Sequence, residues 1–273
     1  MAQEISLTSA MRANLLSLQS TVNLLNRTQE RLASGKKVNS PLDNPTNYFA
    51  AKSHQNRAND IASRKDGMGE AIQTVKAASN GIDSITTLIE SAKGIAEAAL
   101  ATSDTAQRAL YAAQYNAAID QIDSLAGDSG YRGTNLLVGN TLSVQFDEDG
   151  TSSLSIAGFS ATKAGLSITT AADWDDAATG TAAINSALAE LTGAASTLRV
   201  NASSLSSSLS IVQIRADWAD QMIATLRAGA SALTDADMNE EGANMLLLQT
   251  RQALGTTALS LSAQNAQSVL RLF

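Results

Sequence analysis

Few side chains in this sequence are of a kind that does chemistry. It has no Cys and a single His, His54. A zinc hydrolase needs two imidazoles one helical turn apart beside a glutamate, so that chemistry is excluded. Disulfides and thiolate metal sites are excluded with the cysteines. His54 lies in a polar stretch and reads as a packing or solvent-facing residue. Carboxylates gather twice, at Asp147-Glu148-Asp149 and at Asp173, Asp175 and Asp176. Oxygen ligands of this kind could take a hard cation, but the spacing is not that of an EF-hand, and solvated turns are the better reading. Gly127, Gly130 and Gly133 share a loop without the strand–loop–helix context that cradles a phosphate. Trp174 and Trp218 read as packing or contact residues, and the Ser-rich run Ser203–Ser210 as helix surface. No catalytic constellation and no cofactor are expected.

Composition narrows the classes further. The formal net charge is −7 and the sequence pI about 4.7, against the basic face of a nucleic-acid binder. Aromatic residues make up 4%, too few for base-stacking platforms, and the apolar residues are mostly Ala and Leu. Both Pro residues fall at Pro41 and Pro45, leaving the remainder free to be helical. No run is long and apolar enough for a membrane span. Met1–Ala10 lacks the basic and apolar regions of a Sec signal, so no Sec route and no membrane partner are expected.

With no site to position, the elements themselves become the object of interest. From Ile184 to Leu233, jumps of four and three land on apolar residues: Ile184, Leu188, Leu191, Leu198, Leu205, Leu209, Val212, Ile223 and Leu226 among them. A seven-residue repeat held for about seven heptads marks a long helix with one narrow apolar seam. Such a helix runs ~75 Å at 1.5 Å per residue, which predicts a rod rather than a globule. The stretch Ser6–Ser34 repeats the pattern through Met11, Leu15, Leu18, Val22, Leu25 and Leu32, with Gln29 as its one polar stop. Gly35 and the cations around it read as its C-terminal stop.

A polar hinge follows, and Asn44-Pro45 reads as the cap and first position of a second long helix. Its seam starts through polar Asn56 and Asp60 and clears at Met68, Ile72, Val75, Ser79, Ile82, Ile85, Ile89 and Ala92. A third helix, about 105–125, carries Tyr111, Tyr115, Ala118, Ile122 and Leu125. The period then drops to two around Leu142, Val144 and Phe146, and again at Leu154 and Ile156, across the turn Asp147–Gly150. That predicts a β-hairpin at the far tip, with a second hairpin near Ala164–Thr169. Thr234-Asp235-Ala236-Asp237 fits a capping box opening a last helix. That helix carries the rows Ala243, Leu247, Thr250, Leu254, Ala258, Leu261, Asn265, Val269, Leu272 and Leu246, Leu259, Ala266, Leu270, Phe273. An apolar face this broad exceeds what one partner covers. The fold class expected is therefore mainly α: a long antiparallel helical rod or coiled coil with a small β-hairpin region.

Five ordered stretches resemble bacterial flagellin. Glu30-Arg31-Leu32-Ala33-Ser34-Gly35-Lys36-Lys37-Val38-Asn39-Ser40 is similar to the family's stretch after the first helix. Tyr131-Arg132-Gly133-Thr134-Asn135-Leu136-Leu137 resembles its F-x-G-T-x-L-L. Leu233–Met238, Gly255–Leu259 and Gln267–Leu272 resemble the family's closing stretches in order. The resemblance implies a short flagellin without a variable outer domain. Residues 1–37 and 236–273 would be the paired inner-tube helices, and 38–235 the outer helical rod with its hairpin tip at about 136–172.

The same resemblance implies a structural subunit, not an enzyme, that polymerises helically into the extracellular flagellar filament for motility. The assembly residues would be Met11, Leu15, Leu18, Val22, Leu25, Leu32, Leu247, Leu254, Leu261, Val269 and Leu272, on terminal helices that order only in the filament. Implied partners are further copies of itself, the junction and cap proteins, the flagellar export apparatus and a chaperone holding the C-terminal segment. Export would proceed unfolded, without a Sec signal. Many flagellins are sensed by a vertebrate innate receptor through an Arg on the second helix. Here no Arg occurs between Arg64 and Arg108, only Lys76 and Lys93, so weak or no recognition is expected.

Three rival readings stand beside this one. A hook–filament junction protein shares the terminal patterns but caps rather than repeats. A chemotaxis-receptor signalling coiled coil has similar heptads but needs a tight helical tip where this chain has strands. A lipid-surface helix protein is opposed by the acidic balance.

Overall fold

The computed structural model describes residues 9–270. Its elements, in chain order, are helices α1 (Ser9–Ser34), α2 (Pro45–Ala101) and α3 (Thr105–Asp128), strands β1 (Thr141–Gln145) and β2 (Ser153–Ala157), and helices α4 (Gly180–Thr234) and α5 (Met238–Leu270). The fold is mainly helical with one small antiparallel hairpin. Two compact units divide the chain, one formed by residues up to Asn56 together with those from Thr225, the other by Arg57–Ala224.

The first unit holds α1, α5, the start of α2 and the end of α4. α1 stops where its sequence says it should: Gly35 takes a φ of +71° and its N–H donates to the Arg31 carbonyl at 2.8 Å. Asn44 Oδ1 accepts from the Asn47 N–H at 3.1 Å, capping α2 one residue before Pro45. Between these caps the hinge is fastened by Asp43, whose Oδ2 accepts from the N–H groups of Asn39 and Ser40 at 3.0 and 2.9 Å. Those donors hold the Asp43 carboxyl below its ordinary pKa. The cap of α5 is not the expected Thr234. Thr234 ends α4, its hydroxyl bonded back to the Ala230 carbonyl, and Asp237 Oδ1 instead accepts from Asn239 and Glu240. A carboxylate directly before the first helical residue reaches those orphan N–H groups, whereas a side chain four residues before Met238 does not.

The second unit is built on α2, α3, α4 and the hairpin. Met68, Val75, Ile82, Ile85, Ile89 and Ala92 of α2 are buried with Tyr115, Ile119 and Ile122 of α3 and with the α4 residues Ile184, Leu191, Leu198, Leu205 and Val212. Leu188 and Leu209 are half-buried against the same core, and Ile223 and Leu226 are buried further along α4. Two seams run differently from expectation. At the start of α2, Ala51, Ala58 and Ile61 are buried while Asn56 and Asp60 face solvent. In α3, Ile119 and Ala126 take the core positions beside the half-buried Ala118 and Leu125. In both cases the register shifts until an apolar side chain, rather than a polar or peripheral one, meets the core.

The hairpin pairs Thr141 with Ala157 through Gln145 with Ser153, and Gly150 adopts a φ of +72° in its loop. Its alternation buries Val144 and Ile156 on one face. It does not sit beyond the ends of the long helices. α3 folds back along α2, so successive contacts step down that helix. Ser129 lies by Gly81, Arg132 pairs with Glu70 at 2.9 Å, Arg64 donates to Gln145 at 3.2 Å and Arg57 pairs with Glu148 at 2.7 Å. The Arg215 guanidinium lies 5.2 Å from the centre of the Phe146 ring, holding the loop to α4 as well. No second hairpin forms at Ala164–Thr169. Leu166 and Ile168 there turn back onto Thr162 and Lys163 through backbone hydrogen bonds, and both side chains are buried. A turn buries two apolar residues that a two-stranded ribbon would have placed on one of its faces.

Tyr115 packs on Trp174 with ring centres 4.9 Å apart, and burial, with Glu190 adding to it, pushes the phenol pKa up to about 12. Asn135 is buried and donates to the carbonyls of Ala126 and Gly127, closing the α3 terminus.

Glycines in this unit give opposite expectations for one substitution. A Cβ on Gly81 would stand 2.6 Å from Leu137 Cδ1 and closer still to Ser129, whereas one on Gly94 meets open space. Gly94→Ala is expected to raise stability by about 0.5–1 kcal/mol through helix propensity. Gly81→Ala is expected to lower it by about 1–3 kcal/mol through overpacking. Thermal melts followed by circular dichroism will separate the two; equal shifts would discount the close approach.

Candidate assembly surface of the terminal helices

α1 and α5 pack side by side, joined at one end by the hinge. The link begins in the backbone. Lys37 and Val38 both donate their N–H groups to the Thr234 carbonyl, at 2.7 and 3.2 Å, and Ala236 donates to the Gly35 carbonyl at 2.9 Å. Lys36 and Asp235 thereby form an antiparallel bridge. Next to it Arg31 reaches across to Glu241, Nη1 to Oε1 at 2.8 Å. The Glu241 side chain is 8% exposed and its second oxygen, Oε2, is buried without a hydrogen-bond partner. A carboxylate so placed depends on its one cation, because a buried charge without a partner is costly.

Beyond the ion pair the seam is thin. Met11, Leu25 and Thr28 of α1 and Leu248 of α5 are buried, with Leu18, Val22, Leu32 and Leu259 half-covered. Gly255 lies against Leu18, where a Cβ would come within 2.6 Å of the Leu18 Cδ1. Thr28, not the expected Gln29, fills the polar stop.

Among the described residues, several other large apolar side chains of the two helices are exposed. Leu247, Leu254 and Leu261 are 51%, 65% and 60% exposed, spaced seven residues apart on one face of α5. Ala243, Thr250, Ala258 and Asn265 of the same row are exposed too. Leu246 on α5 and Leu15, Leu16 and Leu24 on α1 add to this surface. The structure thus divides the named assembly residues. Met11, Leu18, Val22, Leu25 and Leu32 pack toward the partner helix, while Leu15, Leu247, Leu254 and Leu261 do not. Leu272 and the side chain of Val269 lie outside the described residues. Sequence reasoning missed Leu248 and the Arg31–Glu241 pair. Leu248 is one residue from the Leu247 row, and a difference in burial between neighbours shows only once the partner helix is in place.

No group of His, Cys, Asp or Glu among the described residues is arranged to hold a metal ion. No described helix is long and apolar enough to cross a membrane. His54 is half-buried beside Gly229, and Trp218 is 40% exposed on α4. What the terminal pair can do is bury leucine against other helices.

A helical subunit whose paired ends present unspent apolar rows belongs to the class of self-assembling structural proteins. Residues 5–141 match the bacterial flagellin N-terminal helical region, and residues 181–273 match the bacterial flagellin C-terminal helical region. The chain belongs to the bacterial flagellin family. It is 31% identical to flagellin FljO of Caulobacter vibrioides, covering 95% of this chain and 94% of that one. It is 32% identical to flagellin FljM of the same organism at the same coverage. It is 28% identical to a flagellin of Brucella melitensis, covering 100% of this chain and 99% of that one. Among solved structures, the crystal structure of Bacillus cereus flagellin aligns with a TM-score of 0.47 at 15% identity, covering 56% of this chain and 88% of that one. The protein is accordingly a structural, non-catalytic subunit for filament assembly.

Two substitutions separate pairing from assembly. Arg31→Ala strands Glu241 and is expected to destabilise the α1–α5 pair by about 3 kcal/mol, seen as faster amide hydrogen exchange in both helices. Leu254→Asp alters an exposed position and should leave that exchange unchanged while preventing filament growth. An unchanged exchange pattern in Arg31→Ala would remove the ion pair from this account.

Proposed function

We propose that this chain is the repeating subunit of the flagellar filament and that its terminal helices complete their folding on assembly. The observation carrying the reading is the exposed Leu247–Leu254–Leu261 row on α5, about 100° around the helix from the seam positions Leu248 and Gly255. Each buried square ångström of apolar surface contributes roughly 25 cal/mol, and neighbouring copies supply surface that a lone subunit lacks. Leaving that stabilisation to the polymer delays association until subunits meet at the growing end.

In this reading residues 1–37 and 236–273 form the inner tube and 38–235 the outer part. The subunit reaches its destination through the flagellar export apparatus without a Sec signal, with a chaperone holding the C-terminal segment. The family match and the apolar α5 face support those partners.

Removing residues 251–273 deletes Leu254 and Leu261. The truncated protein should stay soluble and form no filaments by electron microscopy when concentrated alongside the intact chain. Filaments from the truncated protein would overturn the mechanism.

The residues of α2 between Arg64 and Arg108 include no Arg. Weak or absent signalling through the vertebrate flagellin receptor is therefore expected from the purified monomer. A reporter-cell assay checks it, and full signalling at nanomolar dose contradicts it.

A further inference from the structure

Charge is unevenly shared between the two compact units. By sequence, residues 1–56 with 225–273 carry nine Lys or Arg against seven Asp or Glu, while residues 57–224 carry ten against nineteen. The first unit is net positive in a chain whose formal charge is −7.

Part of that positive charge lines a groove. A cavity of about 470 Å³ in the first unit is walled by the first turns of α2, the last turns of α4 and the hinge, and Lys36, Lys52 and Arg227 border it. All three are exposed, and none has an ion-pair partner among the described residues. Asp235 is the one carboxylate in its lining.

The acidic elements of the second unit differ in how much of their charge is already used. In the hairpin loop, Asp147 Oδ2 accepts from Thr151 and Ser152, and Glu148 pairs with Arg57. In the turn before α4, Asp176 Oδ1 accepts from the N–H groups of Ala178 and Thr179. Asp173 and Asp175 in the same turn are exposed, and their carboxylates have no partner among the described residues. Asp149 in the hairpin loop is likewise exposed, but only the turn before α4 carries two such carboxylates two residues apart.

We propose that the Lys36–Lys52–Arg227 groove of one subunit receives the Asp173–Asp176 turn of a second copy, a directional contact between neighbours in the polymer. It rests on the self-assembly reading and names an electrostatic contact distinct from the apolar α5 row. Complementary charge steers association and fixes register, and it repels mismatched neighbours. A contact between two different patches repeats from copy to copy and builds open chains.

Charge reversal on each side tests it with the full chain. Lys52→Glu/Arg227→Glu should raise the critical concentration for polymerisation about tenfold at low ionic strength, and Asp173→Lys/Asp175→Lys should do the same. An equimolar mixture should polymerise where neither variant does alone, because the reversed groove of one then meets the reversed turn of the other. Added salt should shrink the defects. Circular dichroism melts matching the unaltered chain establish that both variants fold. Variants that assemble normally while the intact chain forms filaments overturn the contact and leave self-assembly standing. Impaired variants that the mixture fails to rescue overturn the pairing, since the groove then meets something other than this turn. An intact chain that forms no filaments overturns both readings together.

Discussion

A helix packed against one neighbour buries only one stripe of its surface. Everything distinctive here follows from how the chain distributes that limit. In Arg57–Ala224 α2, α3, α4 and the hairpin cover most of one another's apolar stripes, leaving Leu110, Val200, Ile214 and Trp218 exposed on the outer faces of α3 and α4. Trp174, Tyr115, Leu191, Leu198 and Leu205 are closed off from water there, and Asn135 donates to two carbonyls at the end of α3. In the terminal pair the limit is not met. α1 and α5 have one helix each to pack on and more leucine than one helix covers.

Much of this was legible in the sequence because the signals are local. Period-seven spacing places α4, Gly35 and Asn44-Pro45 mark where α1 ends and α2 begins, and period two marks β1 and β2. The misreadings have one physical origin: each needed a neighbour to be decided. Whether Asn56 or Ala58 faces inward depends on what packs there, and heptad counting along a 3.6-residue helix drifts by about 20° per heptad. A four-residue capping motif begins at Thr234, yet α4 continues through that residue and the Asp237 carboxylate caps α5 instead. Hairpin placement required knowing that α3 folds back along α2. The ion pair Arg31–Glu241 joins residues 210 positions apart and leaves no local trace.

Polar groups serve here chiefly as fasteners at joints. Asp43 gathers the hinge, Asp237 starts α5, Asp104 starts α3 and Asp147 closes the hairpin loop, each by accepting backbone N–H groups. Hydrogen bonds to the carboxylate lower the pKa of Asp147, chiefly from the Thr151 hydroxyl, and those of Asp43 and Asp176, chiefly from backbone N–H groups. Burial does the opposite for Tyr115, which stays neutral at any pH the protein meets.

The double donation from Lys37 and Val38 to one carbonyl of Thr234, with Ala236 returning a bond to Gly35, makes the two connectors a short ribbon rather than two separate threads. A single thread swivels freely about its own bonds. Two strands cross-linked side by side wind only by shearing those hydrogen bonds, though they bend easily across their flat face. Torque applied to one terminal helix is therefore handed to both connectors at once.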